Sequence, residues 1–198
     1  MTQKWRPRKM LYEHVGDNRS GKTFTNALFA WEAFNLGRKI YCNCSEDMER
    51  EGEFLCILNF PHYHIDMDQI RKTNLTNCYI MSDESVEVLD ARRAMKQTIL
   101  ELTYFNRQAT KRNVDWHYDA VRHEDIDPRI RTNPHFRITT IRIPRDPRLP
   151  LLAIRFKVEN RYSAHIQKFV LSNYTIPALK DYYPIYNDIT PVYSSENS

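Results

Sequence analysis

Residues 16–23 constrain this 198-residue chain more than any other stretch. They read GDNRSGKT and fit the Walker A pattern G-x-x-x-x-G-K-[S/T]. In that pattern backbone N–H groups wrap phosphate oxygens, the lysine reaches the β- and γ-phosphates, and the final hydroxyl holds Mg²⁺. Two of the four glycines in the chain lie in this short motif. We therefore predict a nucleoside triphosphate site at this loop.

The predicted nucleotide site comprises the loop and the residue that follows it. Its members are Gly16, Asp17, Asn18, Arg19, Ser20, Gly21, Lys22, Thr23 and Phe24. Lys22 is also expected to act in catalysis and Thr23 to bind the metal. The predicted cofactors are ATP and Mg²⁺.

The residues on both sides of the loop predict a strand, the loop and then a helix. Residues 11–15 (LYEHV) form a short strand candidate, and residues 22–36 place Phe24, Leu28 and Trp31 at helical spacing before Gly37. A helix that begins at the loop suits a phosphate, because its free N–H groups and its dipole favour an anion. Residues 38–44 predict a second strand.

A pair of carboxylates follows the next strongly apolar run. Residues 78–81 are mostly apolar, and Ser82 is followed by Asp83 and Glu84. This Walker B arrangement indicates a buried strand that ends in a metal-binding aspartate and a glutamate able to take a proton from water. We predict that Asp83 binds Mg²⁺ and that Glu84 is the general base; the alternative is a solvated acidic turn. The two motifs together predict an ATP or GTP hydrolase.

Composition predicts one globular domain over residues 1–198. Hydrophobic residues make up 41% of the chain and charged residues 27%. We expect a basic segment at residues 1–10 and a disordered tail at residues 190–198. Because no apolar run reaches 18 residues and none precedes the loop, we predict neither a membrane span nor a secretory signal, and hence an intracellular protein.

The four cysteines lie in or beside apolar runs, which favours buried thiols. They are Cys42, Cys44, Cys56 and Cys78. A zinc site that combines some of them with His62 and His64 is the alternative, although the spacing fits no standard zinc motif.

Further elements are predicted along the second half of the chain. Residues 94–112 predict a helix, residues 114–121 a strand, and residues 151–158 and 164–171 two terminal strands.

Several stretches resemble the small P-loop ATPases of archaeal viruses and related mobile elements, within the FtsK–HerA group of DNA pumps and packaging motors. They read SDESVEVLDARRAMK, LTYFNRQATKRNVDWHYDAVRHEDIDPRIRTNPHF and LKDYYPIYND, and the similarity runs from residue 11 to about residue 190. The resemblance implies an α/β, RecA-like fold: a mainly parallel central sheet flanked by helices, with additional C-terminal strands.

The same resemblance implies a function and partners. It implies a homo-oligomeric ring, a pentamer or hexamer, that uses ATP to move double-stranded viral DNA into a preformed capsid. A capsid or portal component would be its partner, and it would work in the host cell cytoplasm at the procapsid.

One position departs from the family pattern. Val121, in YDAVR, stands where the family usually carries a polar sensor, most often glutamine. Asp119 or Arg122 would have to replace that sensor, so the departure concerns the coupling of hydrolysis to movement and not nucleotide binding.

Ring ATPases complete the active site with an arginine from the neighbouring subunit, which stabilises charge on the transferring phosphoryl group. The candidates are Arg92, Arg107, Arg112, Arg129 and Arg131. We favour Arg129 and Arg131, because residues two apart in an extended segment point to the same side. The alternative is that they are surface arginines that pair with Asp125 and Asp127.

Basic residues are clustered along the chain, whose net charge is +4. Residues 107–148 hold ten Lys or Arg against six Asp or Glu, and the first nine residues hold four basic residues and no acidic one. Such clusters predict salt-sensitive contact with DNA phosphates. Arg142, Arg145 and Arg148 alternate with prolines and predict an exposed loop, which either faces DNA or is a plain hairpin connection.

Two other function classes share this motif. A nucleoside or nucleotide kinase would use an arginine-rich lid, which residues 142–148 could supply. An assembly ATPase of phage extrusion, similar to zonula-occludens-toxin-like proteins, would normally carry a membrane span.

Overall fold

The structure is a computed structural model that describes residues 11–43, 49–50, 53–54, 56–70, 72–93, 97–146, 148–149, 152–160 and 171–177. The strands are β1 (Leu11–Val15), β2 (Lys39–Cys42), β3 (Glu49–Arg50), β4 (Glu53–Phe54), β5 (Tyr63–His64), β6 (Cys78–Ser82), β7 (Val114–Ala120), β8 (Phe136–Ile143), β9 (Ala153–Asn160) and β10 (Leu171–Pro177). The α-helices are α1 (Lys22–Asn35), α2 (Val86–Leu89), α3 (Gln97–Ala109) and α4 (Pro128–Arg131), with 3₁₀ turns at Ala91–Arg93 and His123–Asp125.

Among the described residues, eight strands form one sheet in the order β10-β9-β8-β1-β7-β6-β2-β5. The pairs from β8 to β5 are parallel, whereas β9 pairs antiparallel with both β8 and β10. Strands β3 and β4 form a separate short hairpin. The predicted mainly parallel α/β sheet with C-terminal strands is confirmed.

The central strands are buried along their whole length. Every residue of β6 and β7 is buried, as expected for parallel strands that are covered on both faces. Helix α1 covers one face, where Phe24 and Ala27 share a hydrophobic cluster with Tyr79. Helix α3 covers the other face, where the rings of Phe105 and Trp116 lie 5.9 Å apart. The strand ends that carry the site are therefore held by packing on both sides.

Most predicted elements that the structure describes lie within a few residues of their observed bounds, but one differs. Residues 128–131 are a helical turn and not an extended segment, because Asp127 caps the turn and Pro128 occupies its start. The strand predicted at residues 164–171 lies outside the described residues except for residue 171, where the strand Leu171–Pro177 begins. The segments at residues 1–10 and 190–198 lie outside the described residues.

The cysteine prediction is confirmed for one residue. Cys78 is a buried free thiol, and the sulfur atoms of Cys42 and Cys56 lie 4.0 Å apart. Cys44 lies outside the described residues. Within the described ranges, no three His, Cys, Asp or Glu residues form a metal-binding cluster. Nor does any helix in those ranges have the length and apolar character needed to cross a membrane.

Candidate nucleotide-binding and hydrolysis site

The candidate site lies where three neighbouring parallel strands end. Strands β1, β7 and β6 are adjacent in the sheet and end at Val15, Ala120 and Ser82. Because parallel strands end at the same edge, the topology brings the phosphate loop together with the residues that follow β6 and those at the end of β7. The two predicted motifs therefore belong to one site.

Two glycines give the phosphate loop its shape. Gly21 has φ 95° at the start of α1, and a Cβ there would lie 2.5 Å from Cδ1 of Ile154. A Cβ on Gly16 would lie 2.6 Å from Oγ of Ser20 and 2.7 Å from the carbonyl oxygen of Thr140. Both positions are too crowded for a side chain, so the loop packs closely against β8 and β9.

Lys22 lies across the loop with its ammonium group directed at backbone carbonyls. Its Nζ donates hydrogen bonds to the carbonyl oxygens of Gly16, at 2.8 Å, and Asp17, at 3.0 Å. Burial lowers the pKa of Lys22, while the carboxylates of Asp119, Asp83 and Asp17 act in the opposite direction. The ammonium group is thus held inside the phosphate loop, where a lysine that contacts phosphates is expected to lie.

A hydrogen bond joins the two motifs. Thr23 Oγ1 donates to Asp83 Oδ1 at 2.9 Å, across 60 residues of sequence. Burial, and after it the nearby Asp119 carboxylate, raise the pKa of Asp83 to about 7, although the Thr23 hydrogen bond acts in the opposite direction. A hydroxyl beside a half-buried carboxylate offers the hard oxygen donors that Mg²⁺ prefers. These two predicted Mg²⁺ ligands therefore fit the ion.

Asn43 holds Asp83 in place, and sequence reasoning missed it. Its Oδ1 accepts from the Asp83 N–H at 2.7 Å and its Nδ2 donates to the Asp83 carbonyl at 2.9 Å. Asn43 directly follows β2, which pairs with β6. A polar residue at the end of a neighbouring parallel strand was the signal that could have identified it.

Glu84 is exposed and lies in a tight turn. Its φ is 48°, an uncommon backbone conformation for glutamate that is found often at functional sites. The next residue anchors the turn: the Ser85 hydroxyl donates to the Ser82 carbonyl at 3.0 Å, and the Ser85 N–H donates to Asp119 Oδ1 at 3.0 Å. The hydrogen bonds of Ser85 thus hold the backbone of the turn, and the Glu84 side chain is exposed on it.

Of the two candidate replacements for the missing sensor, Asp119 lies in the site. It is 7% exposed, accepts from the Ser85 N–H, and acts electrostatically on Lys22 and Asp83. Burial raises its pKa. Val121 follows the last residue of β7 and is 39% exposed, and Arg122 is exposed beside it. Asp119 is therefore the polar group that β7 contributes.

The arginines predicted to act in trans lie in α4. The Arg129 guanidinium pairs with Asp127 through Nε–Oδ1 and Nη2–Oδ2 distances of 2.9 Å, and Arg131 donates to the Glu124 carbonyl at 3.2 Å. Arg129 and Arg131 do not share one side of an extended segment, contrary to the prediction, because the segment is helical. Arg129 forms the pairing with Asp127 that was the alternative.

The basic segment near residue 145 connects antiparallel β8 to β9, and its contact with DNA stays a prediction. Arg148 is exposed and pairs with Asp146 at 3.0 Å. Arg142 and Arg145 instead line a cavity of about 470 Å³ beside the phosphate loop.

The other predicted nucleotide-site residues differ in exposure. Asp17, Asn18 and Arg19 are exposed at the top of the loop, and Ser20 is buried beneath them. The side chain of Phe24 belongs to the hydrophobic core and is 6% exposed. Of Phe24, only the backbone N–H in the first turn of α1 is suited to contact an anion.

No protein-family model and no curated protein matches the sequence. Solved structures do match the fold. The N-terminal domain of zonular occludens toxin from Neisseria meningitidis aligns with a TM-score of 0.59 at 16% identity, over 91% of this chain and 100% of that one.

A second match is the genome-packaging NTPase B204 of Sulfolobus turreted icosahedral virus 2. Its complex with ATPγS aligns with a TM-score of 0.55 at 12% identity, and its complex with AMPPCP with 0.56 at 13%; each alignment covers 84% of this chain and 98% of that one. The chain therefore has the α/β fold of the P-loop NTPases, which a viral packaging NTPase and a zonular occludens toxin domain share.

Proposed function

We propose that this protein is an ATP-hydrolysing motor that moves double-stranded DNA, with packaging of a viral genome into a capsid as its role. The observation that carries the proposal is the 2.9 Å hydrogen bond from Thr23 to Asp83, which assembles both sequence motifs into one site. Lys22 lies beside it, and Glu84 directly follows it in the chain. The fold shared with a genome-packaging NTPase supports the same assignment.

The residues divide the work of hydrolysis between them. The loop N–H groups and Lys22 bind the phosphates, with the ammonium exchanging its carbonyl partners at Gly16 and Asp17 for phosphate oxygens. Thr23 and Asp83 would hold Mg²⁺, which when bound neutralises charge on the phosphates. Glu84, exposed beside them, accepts the proton of the attacking water.

Asp119 is the candidate link between the nucleotide and the rest of the protein. Its carboxylate accepts from the Ser85 N–H, next to Glu84, and interacts electrostatically with Lys22. A change in charge at the γ-phosphate would therefore change the electrostatic interactions of Asp119 at the end of β7. In this proposal Asp119 fills the role of the sensor that Val121 cannot supply.

A ring would supply Arg129 or Arg131 to the site of the next subunit. Arg129 would first have to leave Asp127. In the test, subunits that carry Arg129→Ala or Arg131→Ala are mixed with subunits that carry Glu84→Gln. Each of these variants alone is expected to bind ATP and to hydrolyse it poorly. Partial recovery of turnover is expected where the two intact halves meet, and no recovery in assembled mixtures would exclude the trans role.

The DNA part of the proposal rests on charge. The excess of basic residues over residues 107–148 suits sequence-independent contact with phosphates. The test measures ADP release with and without random-sequence duplex at two salt concentrations. DNA is expected to stimulate turnover, and stimulation is expected to weaken steeply with salt, since each phosphate contact releases about 0.9 counterion. A requirement for an added nucleoside, together with indifference to DNA, would instead identify a kinase.

A second candidate is a nucleotide-dependent assembly ATPase of phage extrusion. The observation that favours it is the alignment with the zonular occludens toxin domain, which covers all of that domain. Such a protein is expected to hydrolyse ATP without a response to duplex DNA or to added nucleosides. The same assay therefore distinguishes all three functions.

A further inference from the structure

The connection between β8 and β9 exposes two leucines. It runs over residues 144–152, which read PRDPRLPLL, and we call it the β8–β9 tip. Leu149 is 49% exposed and Leu152 is 67% exposed, the highest value for a large hydrophobic side chain among the described residues. Because they are three positions apart, the chain keeps them within about 11 Å of each other. The β8–β9 tip therefore places a small apolar group in water.

Hydrogen bonds hold the β8–β9 tip in this shape. The Leu152 N–H donates to the Ile143 carbonyl at 2.9 Å, which closes the connection. The Leu149 N–H donates to the Asp146 carbonyl at 3.2 Å, and the Leu149 carbonyl accepts from Arg142 Nη2 at 2.8 Å. Both leucines are thus presented by a hydrogen-bonded backbone, and their exposure is a property of the fold.

Basic side chains flank the two leucines. Arg145 and Arg148 are exposed, and Arg148 pairs with Asp146 at 3.0 Å. Residues 142–152 contain three arginines and one aspartate, so their net charge is +2. An apolar group flanked by cationic groups is typical of protein surfaces that bind anionic membranes.

The size of the apolar group helps to identify the partner. A stable protein–protein interface buries about 800 Å² on each partner, far more than two leucine side chains cover. Duplex DNA would contact the arginines through its phosphates, but its backbone would leave the leucines in water. A lipid surface accommodates both, because its apolar layer accepts single side chains and its anionic headgroups attract arginine. The observations therefore favour a membrane surface.

We propose that the β8–β9 tip binds the surface of an anionic lipid membrane, with Leu149 and Leu152 in the apolar layer and Arg145 and Arg148 at the headgroups. Such a contact lies on the membrane surface and needs no spanning segment. It is independent of the proposed motor function, since none of these four residues belongs to the proposed hydrolysis machinery. Arg145 also lines the cavity beside the phosphate loop, so the contact would bring the nucleotide site close to the membrane.

Sedimentation with lipid vesicles tests the inference. Vesicles of phosphatidylcholine alone are compared with vesicles that also contain phosphatidylserine, and the protein is expected to bind the second kind more tightly. Leu152→Ser is expected to lower the partition coefficient on phosphatidylserine vesicles about tenfold, because it removes an apolar side chain from the lipid. Arg145→Gln is expected to lower that coefficient about fivefold and to have little effect on vesicles without phosphatidylserine.

Two matched variants serve as controls. Leu36→Ser removes a leucine that is 66% exposed directly after α1, and Arg107→Gln removes an exposed arginine of α3. Neither is expected to change vesicle binding. Because the Leu152 side chain is exposed, Leu152→Ser is expected to keep the wild-type unfolding midpoint. If that midpoint falls, Leu149→Ser takes its place in the same comparison.

Several results would overturn the inference. One is failure of the wild type to bind phosphatidylserine vesicles, and another is wild-type binding by the leucine variants of the β8–β9 tip. An equal loss of binding in Leu36→Ser would show nonspecific adsorption. If the leucine variants instead lowered the affinity for duplex DNA or dissociated an assembly of the protein, with vesicle binding unchanged, the β8–β9 tip would be a contact to DNA or to another copy of the chain.

Discussion

Two histidines lie side by side in the core beneath the phosphate loop. His14 and His117 are both 0% exposed, and His14 Nε2 lies 2.9 Å from His117 Nδ1. The rings of Tyr12 and Tyr79 stack on His117 at centroid distances of 4.0 and 4.4 Å. Burial lowers the pKa of His14 to about 3 and the pKa of His117 well below its usual value. Both rings are therefore neutral in the folded protein at ordinary pH.

This burial sets a pH dependence of stability. An unfolded histidine has a pKa near 6.5, so below that pH the unfolded chain binds a proton that folded His14 does not. The stability contribution is fully present above pH 6.5 and is lost progressively as the pH falls from about 6.5 towards 3. At pH 5 the loss from His14 alone is about 2 kcal/mol.

The measurement must separate His14 from other groups, because the raised pKa of Asp83 contributes with the opposite sign over the same range. We propose urea unfolding of the wild type and of His14→Asn at pH 7.5 and pH 5. The stability difference between them is expected to change by about 2 kcal/mol, to the disadvantage of the wild type at low pH. The control is Phe29→Leu, because the Phe29 ring contacts the His14 ring. The difference in stability between this variant and the wild type should not depend on pH. If the His14→Asn difference is also independent of pH, the reasoning from burial is refuted.

Three further predictions concern the loop and its support. Gly21→Ala should lower the free energy of unfolding by about 1–3 kcal/mol in denaturant titrations, because φ 95° and contact with Ile154 both oppose a Cβ; an unchanged value would show that the loop adapts. Asn43→Ala should cost about 1–3 kcal/mol, since it removes two hydrogen bonds to Asp83, and a cost near zero would show that they do not support the site. Lys22→Ala should abolish nucleotide binding in calorimetry, and retained affinity would place the phosphates elsewhere.

The sequence predicted the parts of the site that are local in the chain. The phosphate loop and the pair Asp83 and Glu84 are short patterns whose neighbours already indicate a strand and a helix. The role of Asn43 could not be predicted, because it depends on β2 lying next to β6 in the sheet. The contact of His14 with His117 spans 103 residues, and it too depends on which strands are neighbours in the sheet.

Two local errors have local causes. Residues 128–131 were predicted as extended, although Asp127 followed by Pro128 is a recognisable helix start. Arg142 was assigned to a loop because prolines follow it, but β8 continues to Ile143, and this places Arg142 beside the phosphate loop. Neither cavity nor sheet edge is visible in a pattern of prolines and charges.

The central claim is that the loop and Glu84 together hydrolyse ATP. The most direct measurement compares single-site Glu84→Gln with the wild type for both ATP binding and ADP release. Glu84→Gln is expected to keep its affinity for ATP and to lose turnover by roughly 10²-fold or more, because a positioned base has been removed. Turnover at the wild-type rate in Glu84→Gln would contradict it.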